Sequence, residues 1–291
     1  MVRLADADHL HDVRDAPVSA PARTGRPFSD AIGLTPLGDG RFRAELDDAW
    51  AVGTKAHGGL LMVLLTRAAL ARVADAVPGG APEPLAVATD FLRAPDLGQV
   101  ELHAEMLKTG RTASVCAVRL AQDDRLMLSA TVTAGALPDG EPRWAEPVAR
   151  PAEPTADAVD PNPPDRPAPG IAGACELRYP PDANPFARGD TGPPRMSGWV
   201  RPLGEEPDAL FALLAGDVLP PTVFNLGGRF GWAPTIQLTA LLRGRPAPGW
   251  LRVDSESRSV AGAFFDEDVS VVDSAGRLVC QARQLALAPR G

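Results

Sequence analysis

Lysine is almost absent: Lys55 and Lys108 are the only two in 291 residues, and arginine supplies the rest of the side-chain positive charge. With 31 prolines and 28 glycines, that bias reflects a GC-rich coding genome and carries no functional signal. Positive charge is in deficit overall. The formal net charge is −8 at pH 7 and the pI about 5.1, so a nucleic-acid partner, which needs a clustered basic surface to neutralise phosphate, is not expected. Cysteine is scarce too. Cys116, Cys175 and Cys280 are far apart and odd in number, which excludes a disulfide framework and a Cys-x-x-Cys metal clip. No apolar run reaches the roughly 18 residues of a membrane span; Leu60 to Leu65 is soon followed by Arg67, and no membrane partner is expected. The first 26 residues carry Arg3, Asp6, Asp8, Asp12, Arg14 and Asp15 without a continuous apolar stretch. They read as a loose polar arm rather than a secretory signal, so the expected location is the cytoplasm.

Catalytic signatures are missing in the same way. There is no Gly-x-Ser-x-Gly elbow for an α/β-hydrolase, no Gly-x-x-x-x-Gly-Lys loop for a nucleotide and no Gly-x-Gly-x-x-Gly fingerprint for a dinucleotide. His9 and His11 form His-x-His without further ligands nearby, so no metal is expected. No cofactor is expected either.

What is present is a 45% hydrophobic chain, enough to bury a real core, interrupted once. From Leu137 to Gly170, 10 of 34 residues are proline, a density that favours extended, semi-rigid chain. This predicts an arm at 1–26, an N-terminal domain at 27–136, a Pro-rich linker at 137–172 and a C-terminal domain at 173–291. The two parts echo one another. Pro84 to Arg93 can be laid on Pro234 to Arg243 at an offset of 150, and Arg125-Leu126-Met127 on Arg277-Leu278-Val279 at 152. Alternating strand-like runs follow in both: Val100–Leu107, Thr112–Leu120 and Leu126–Ala134 in the first, Trp250–Ser257, Gly262–Val272 and Leu278–Leu287 in the second.

Ahead of these runs the first copy has a helix opened by Gly58-Gly59 and apolar on most of its circumference, from Leu60 to Val73. A helix so apolar must be wrapped by other structure. Ile32–Leu37 and Arg41–Leu46 flank Gly38-Asp39-Gly40, a hairpin signal. The second copy has matching pieces near Glu176–Tyr179, Ser197–Arg201 and a helix near Pro207–Leu214. The predicted class is α+β: a double hotdog, with two antiparallel sheets each wrapped around a long central helix.

In these features the chain resembles the type II acyl-CoA thioesterases, the double-hotdog thioesterases. The resemblance rests on His57-Gly58-Gly59, Asp90-Phe91-Leu92-Arg93-Ala94-Pro95, Glu176-Leu177-Arg178, Asn184-Pro185, Trp199-Val200-Arg201, Asp217, Pro234-Thr235-Ile236 and Gln284. It implies hydrolysis of an acyl-CoA to free acid and CoA and a place in lipid metabolism; a homo-oligomer is expected separately, because the outer faces of the sheets need cover. In the family an Asp, a Thr or Ser and a Gln of the second hotdog hold the hydrolytic water; these fall on Asp217, Thr235 and Gln284. His57, Gly58 and Gly59, at the helix start, would line the thioester oxygen. Where the family often has an acidic and His-containing pair after Thr-Ile, this chain has Gln237-Leu238. At the paired offsets Thr235 lies on Leu85 and Gln284 on Val132, so only the second copy is polar at both points. Two alternatives stand beside this reading. One is a catalytically silent acyl-CoA-binding hotdog protein. The other is an enoyl-CoA hydratase-like enzyme, suggested by Asp182-Ala183-Asn184-Pro185, although Ala187 stands where that enzyme's His would be.

Overall fold

The computed structural model describes residues 27–77, 81–145, 153–162, 170–228 and 230–289. The predicted arm at 1–26 and two stretches of the Pro-rich segment, 146–152 and 163–169, lie outside the described residues. The first half runs α1 (Pro27–Ala31), β1 (Thr35–Gly38), β2 (Arg41–Leu46), the small pair β3 (Ala51–Val52) and β4 (Lys55–Ala56), α2 (Gly58–Ala76), β5 (Glu83–Phe91), β6 (Gly98–Lys108), β7 (Ala113–Gln122) and β8 (Arg125–Gly135). The second runs α3 (Ile171–Ala174), β9 (Cys175–Arg178), β10 (Arg195–Pro202), α4 (Ala209–Ala215), β11 (Thr235–Leu242), β12 (Leu251–Glu256), β13 (Val260–Ala261), β14 (Phe264–Val272) and β15 (Leu278–Leu287).

The hairpin β1–β2 turns through Gly38, Asp39 and Gly40, all at positive φ, where glycine meets no Cβ penalty and aspartate a tolerable one. The helix α2 forms because its residues have nowhere else to go. Eleven of its 19 residues are buried, from Gly59 to Val73, on faces that look at β5 to β8 on one side and α4 on the other. Each fully buried Leu or Val contributes roughly 1.5–3 kcal/mol, so this one element anchors the core.

Two features correct the predicted pair of sheets, each around a long central helix. First, the strands make one 13-stranded sheet rather than two, in the order β1-β2-β6-β7-β8-β5-β11-β15-β14-β12-β10-β9, with β13 attached to β14. The joint is antiparallel pairing of β5 with β11, from Gln237↔Asp90 to Leu241↔Ala86. Those two strands would otherwise be bare edges with unpaired amides and carbonyls. Second, only one central helix is long. The helix α4 has seven residues. Its last turn tightens, with Gly216 N–H donating to the Leu213 carbonyl at 3.2 Å and Asp217 N–H to the Leu214 carbonyl at 2.9 Å, and Pro220-Pro221 then bars further helix.

The order of strands is the same read outward from the joint in either direction, so the halves are related by a local two-fold. Equivalent positions can be fixed by pairing. Both β5 and β11 break register at one point, skipping Leu85 and Ile236 respectively. Matching these bulges makes Pro84, not Leu85, the counterpart of Thr235; the offset is 151, because a bulge residue was counted as a ladder residue. Val132, paired with Val87 and Cys116, is the counterpart of Gln284, paired with Leu238 and Glu267.

Candidate active site

The N-terminus of α2 and the C-terminus of α4 meet at one point, and the sequence is adapted to that closeness. A Cβ on Gly58 would lie 2.8 Å from Asp217 Oδ2, and one on Gly59 would lie 3.1 Å from both the Asp217 Cβ and the Leu214 carbonyl oxygen. The glycines are there so that the helices can approach. The Gly59 amide donates to the Asp217 carboxyl. This is an anion at the positive end of a helix, a favourable placement.

His57 caps α2. Its Nδ1 accepts from Leu60 N–H at 3.3 Å, and its Nε2 donates to the Asp217 backbone carbonyl at 2.9 Å. An accepting Nδ1 with a donating Nε2–H is the neutral imidazole. Burial agrees, pushing the His57 pKa down to about 4, against the backbone hydrogen bond that raises it. The Asp217 carboxylate stands 3.8 Å from His57 Nε2, too far for a hydrogen bond. Asp217 itself, with 10% of its side chain exposed, has its pKa pushed up to about 7 by burial, partly opposed by the Gly59 amide.

Opposite Asp217, the sheet contributes a polar row across β11, β15 and β14. Thr235 Oγ1 donates to Gln284 Oε1 at 2.8 Å, and Gln284 Nε2 donates to Glu267 Oε2. Glu267 Oε1 accepts from Thr222 N–H at 2.6 Å, and the Thr222 hydroxyl lies 2.6 Å from that of Ser257. Glu267 is 3% exposed, and its pKa is raised to about 7, chiefly by burial, with the charge of Asp217 adding to the rise and its hydrogen bonds opposing it. Between row and helix end lies a cavity of about 10 Å³, lined by Ala215 to Leu219, Val253, Ser255, Glu267, Val269 and Gln284. That is room for about one water with polar partners on two sides.

Residues 46–135 match the family model of the acyl-CoA thioesterase N-terminal domain and residues 149–288 that of the acyl-CoA thioesterase C-terminal domain. The chain belongs to the acyl-CoA thioesterase family. It is 39% identical to the uncharacterized protein Rv0499 of Mycobacterium tuberculosis over 289 residues, 90% of this chain and 98% of the other. Among solved structures it is similar to one assigned as a thioesterase II from Thermobifida fusca YX, with TM-score 0.81 and 34% identity over 91% of this chain and 98% of that one. A hot dog fold protein from Alicyclobacillus acidocaldarius matches with TM-score 0.75 and 19% identity over 90% of this chain and 98% of that one. The fold is therefore of the hotdog type.

Within this acyl-CoA thioesterase architecture, Asp217 and Gln284 face one cavity, and Thr235 is tied to it through Gln284. His57, Gly58 and Gly59 adjoin Asp217, with the Gly59 amide turned to its carboxyl. Glu267 is the residue that the sequence reading missed. Its signal was available: on β14 the alternation Phe265, Val269, Val271 marks the buried face, and Glu267 is the charged member of that face. Among the described residues no group of His, Cys, Asp and Glu is arranged to hold a metal ion, and no helix is long and apolar enough to cross a membrane.

Proposed function

We propose that this protein hydrolyses a fatty acyl-CoA thioester to free acid and CoA, with Asp217 as general base and Thr235 and Gln284 holding the water. The observation that carries the reading is the water-sized cavity shared by Asp217 and Gln284, with Asp217 packed against Gly58 and Gly59 at the start of α2. A thioester needs no covalent catalyst, since its carbonyl has little resonance stabilisation and thiolate is a fair leaving group. A carboxylate with pKa about 7 is ionised in a useful fraction at neutral pH and basic enough to take the proton as water attacks. Thr235 and Gln284 supply orientation. The positive end of α2 stabilises the negative charge that develops on the carbonyl oxygen, and Gly58 presents no side chain to obstruct it. In the first half the equivalent row is Pro84, Val132 and Cys116, which offers no counterpart; one working site per chain follows from this.

The hydratase alternative draws no support from the cavity. Asp182 lines an open groove among the strands of the second half and is not one of the residues lining the cavity. Release of free thiol from a panel of acyl-CoAs separates hydrolysis from silent binding: a thioesterase releases CoA, a binding protein does not. Asp217→Asn should keep the fold and lower kcat on the order of 10²–10⁴-fold. An unchanged kcat in that folded variant places the base elsewhere.

A further inference from the structure

Glu267 is a carboxylate where the strand pattern asks for an apolar side chain. It has no cationic partner among the described residues, only neutral donors: the amide and hydroxyl of Thr222 and the side-chain amide of Gln284. A buried carboxylate held this way is expensive for the fold and has to be explained by what it does for its neighbours.

We infer that ionised Glu267 is a positioning residue that fixes the direction of the Gln284 amide, and through it the hydroxyl of Thr235. For its catalytic consequence this inference rests on the thioesterase reading above. A carboxylate can only accept hydrogen bonds, so Gln284 must turn its NH₂ toward Glu267 and its carbonyl toward Thr235. The Thr235 hydroxyl must then donate, as it does at 2.8 Å. Its hydrogen is thereby spent, and its lone pairs, together with the second N–H of Gln284, remain for a water. If Glu267 carries a proton, or an amide replaces it, Gln284 can flip and the Thr235 hydroxyl can reverse. The water then loses its fixed orientation while every side chain stays in place. The titratable groups around this row are Asp217 on the α4 side and His57 at the cap of α2; Thr222 and Ser257 contribute only neutral hydroxyls.

The test is Glu267→Gln, nearly isosteric, assayed with the acyl-CoA that the wild type turns over best. The expected result is a kcat about 10-fold lower with KM within about twofold, because positioning rather than binding is lost. The acid limb of the pH–rate profile should move to lower pH, since a like charge beside Asp217 is gone. In a Gln284→Val background the same change should have no further effect on kcat. A kcat and acid limb that match the wild type overturn the inference, and so does a loss that persists unchanged in the Gln284→Val background. Should Glu267→Gln not fold, ¹⁵N spectra of the wild type decide. The Gln284 side-chain NH₂ signals should shift with pH as the carboxylate titrates, and signals that stay still overturn the inference. A wild type that releases no thiol brings down the thioesterase reading alone, because the NMR arm reads the amide without any substrate.

Discussion

The two halves of this chain are the same scaffold with one row of side chains exchanged. In the second half the row reads Thr235, Gln284 and Glu267; at the paired positions of the first it reads Pro84, Val132 and Cys116. The helices repeat the contrast. His57 caps α2 by accepting from Leu60 N–H, and Asp208 caps α4 by accepting from Phe211 N–H at 2.8 Å. Counting on from each cap makes Thr66 the counterpart of Asp217. Thr66 is fully buried inside α2, its hydroxyl donating back to the Met62 carbonyl at 2.8 Å, and the helix runs on past it to Ala76. In the second half the chain leaves the helix at Gly216, and Asp217 projects from the break. The first half shows this scaffold with an apolar row; the second shows it carrying a polar row with a buried carboxylate, at a cost in stability.

The largest effect expected from this contrast concerns stability itself. Asp217 has a folded pKa near 7, against about 3.9 for an unperturbed aspartate. Between those values the folded state binds more protons than the unfolded, so this group's contribution falls as pH rises through the window. At about 1.36 kcal/mol per pKa unit the cost of the ionised form at pH 8 is at most about 4 kcal/mol. Asp217→Asn should therefore be more stable than the wild type at pH 8, and the gap should close towards pH 4. Urea melts of both proteins at pH 5 and pH 8 check this; a gap that is absent at pH 8, or grows as pH falls, contradicts it.

Next in size is the exchange of the central residue of the row. Gln284→Val installs the first-half side chain where Thr235 and Glu267 now lean on an amide. A loss of about 10² in kcat is expected, roughly 2.7 kcal/mol of transition-state stabilisation, together with about 1–3 kcal/mol of stability, because the buried Glu267 carboxylate loses a donor. A variant with full turnover removes Gln284 from the site.

Much of this comparison could be read before any coordinates. The expected Leu278–Leu287 strand is the observed β15, and Gly58 starts α2 as the glycine pair suggested. These succeed because alternation and helical periodicity are local. The exact equivalence was not legible. A bulge inserts one residue without disturbing the apolar pattern, so Leu85 was laid on Thr235 where pairing gives Pro84. The closeness of Asp217 to Gln284 is a product of helix approach and sheet register across 67 residues, which no short motif encodes. Glu267 was hidden for a different reason: flanked by Asp266 and Asp268, it looks like one of a solvated charge run. Only its parity with Phe265 and Val269 shows that it points inward.

A smaller effect should come from the reverse exchange. Val132 is fully buried between Val87 and Cys116. Val132→Gln places an amide with four hydrogen-bonding sites there, with a proline and a thiol where Gln284 has a threonine and a glutamate. About 1–3 kcal/mol of stability should be lost, and no second site should appear. Chemical denaturation measures the first, and kcat per chain the second. A variant as stable as the wild type would mean that the first half holds unseen partners for the amide.

The smallest effect separates the two caps. Asp208 sits at the far end of α4 from Asp217, about 1.5 Å per residue along the axis, and its carboxylate serves the Phe211 amide. Burial raises its pKa, against the backbone hydrogen bonds at the cap that lower it. Asp208→Ala should cost about 1 kcal/mol, the usual worth of an N-cap, and leave kcat where it was. His57 does the same capping job for α2, but its other nitrogen also holds the backbone carbonyl of Asp217. His57→Asn can keep the cap while releasing that carbonyl, so its stability should change by no more than Asp208→Ala while its kcat falls. Paired thermal melts and turnover assays on the two variants draw the line. If both lose only stability, His57 is a cap and nothing more, and the carboxylate of Asp217 is placed by the Gly59 amide and helix packing alone.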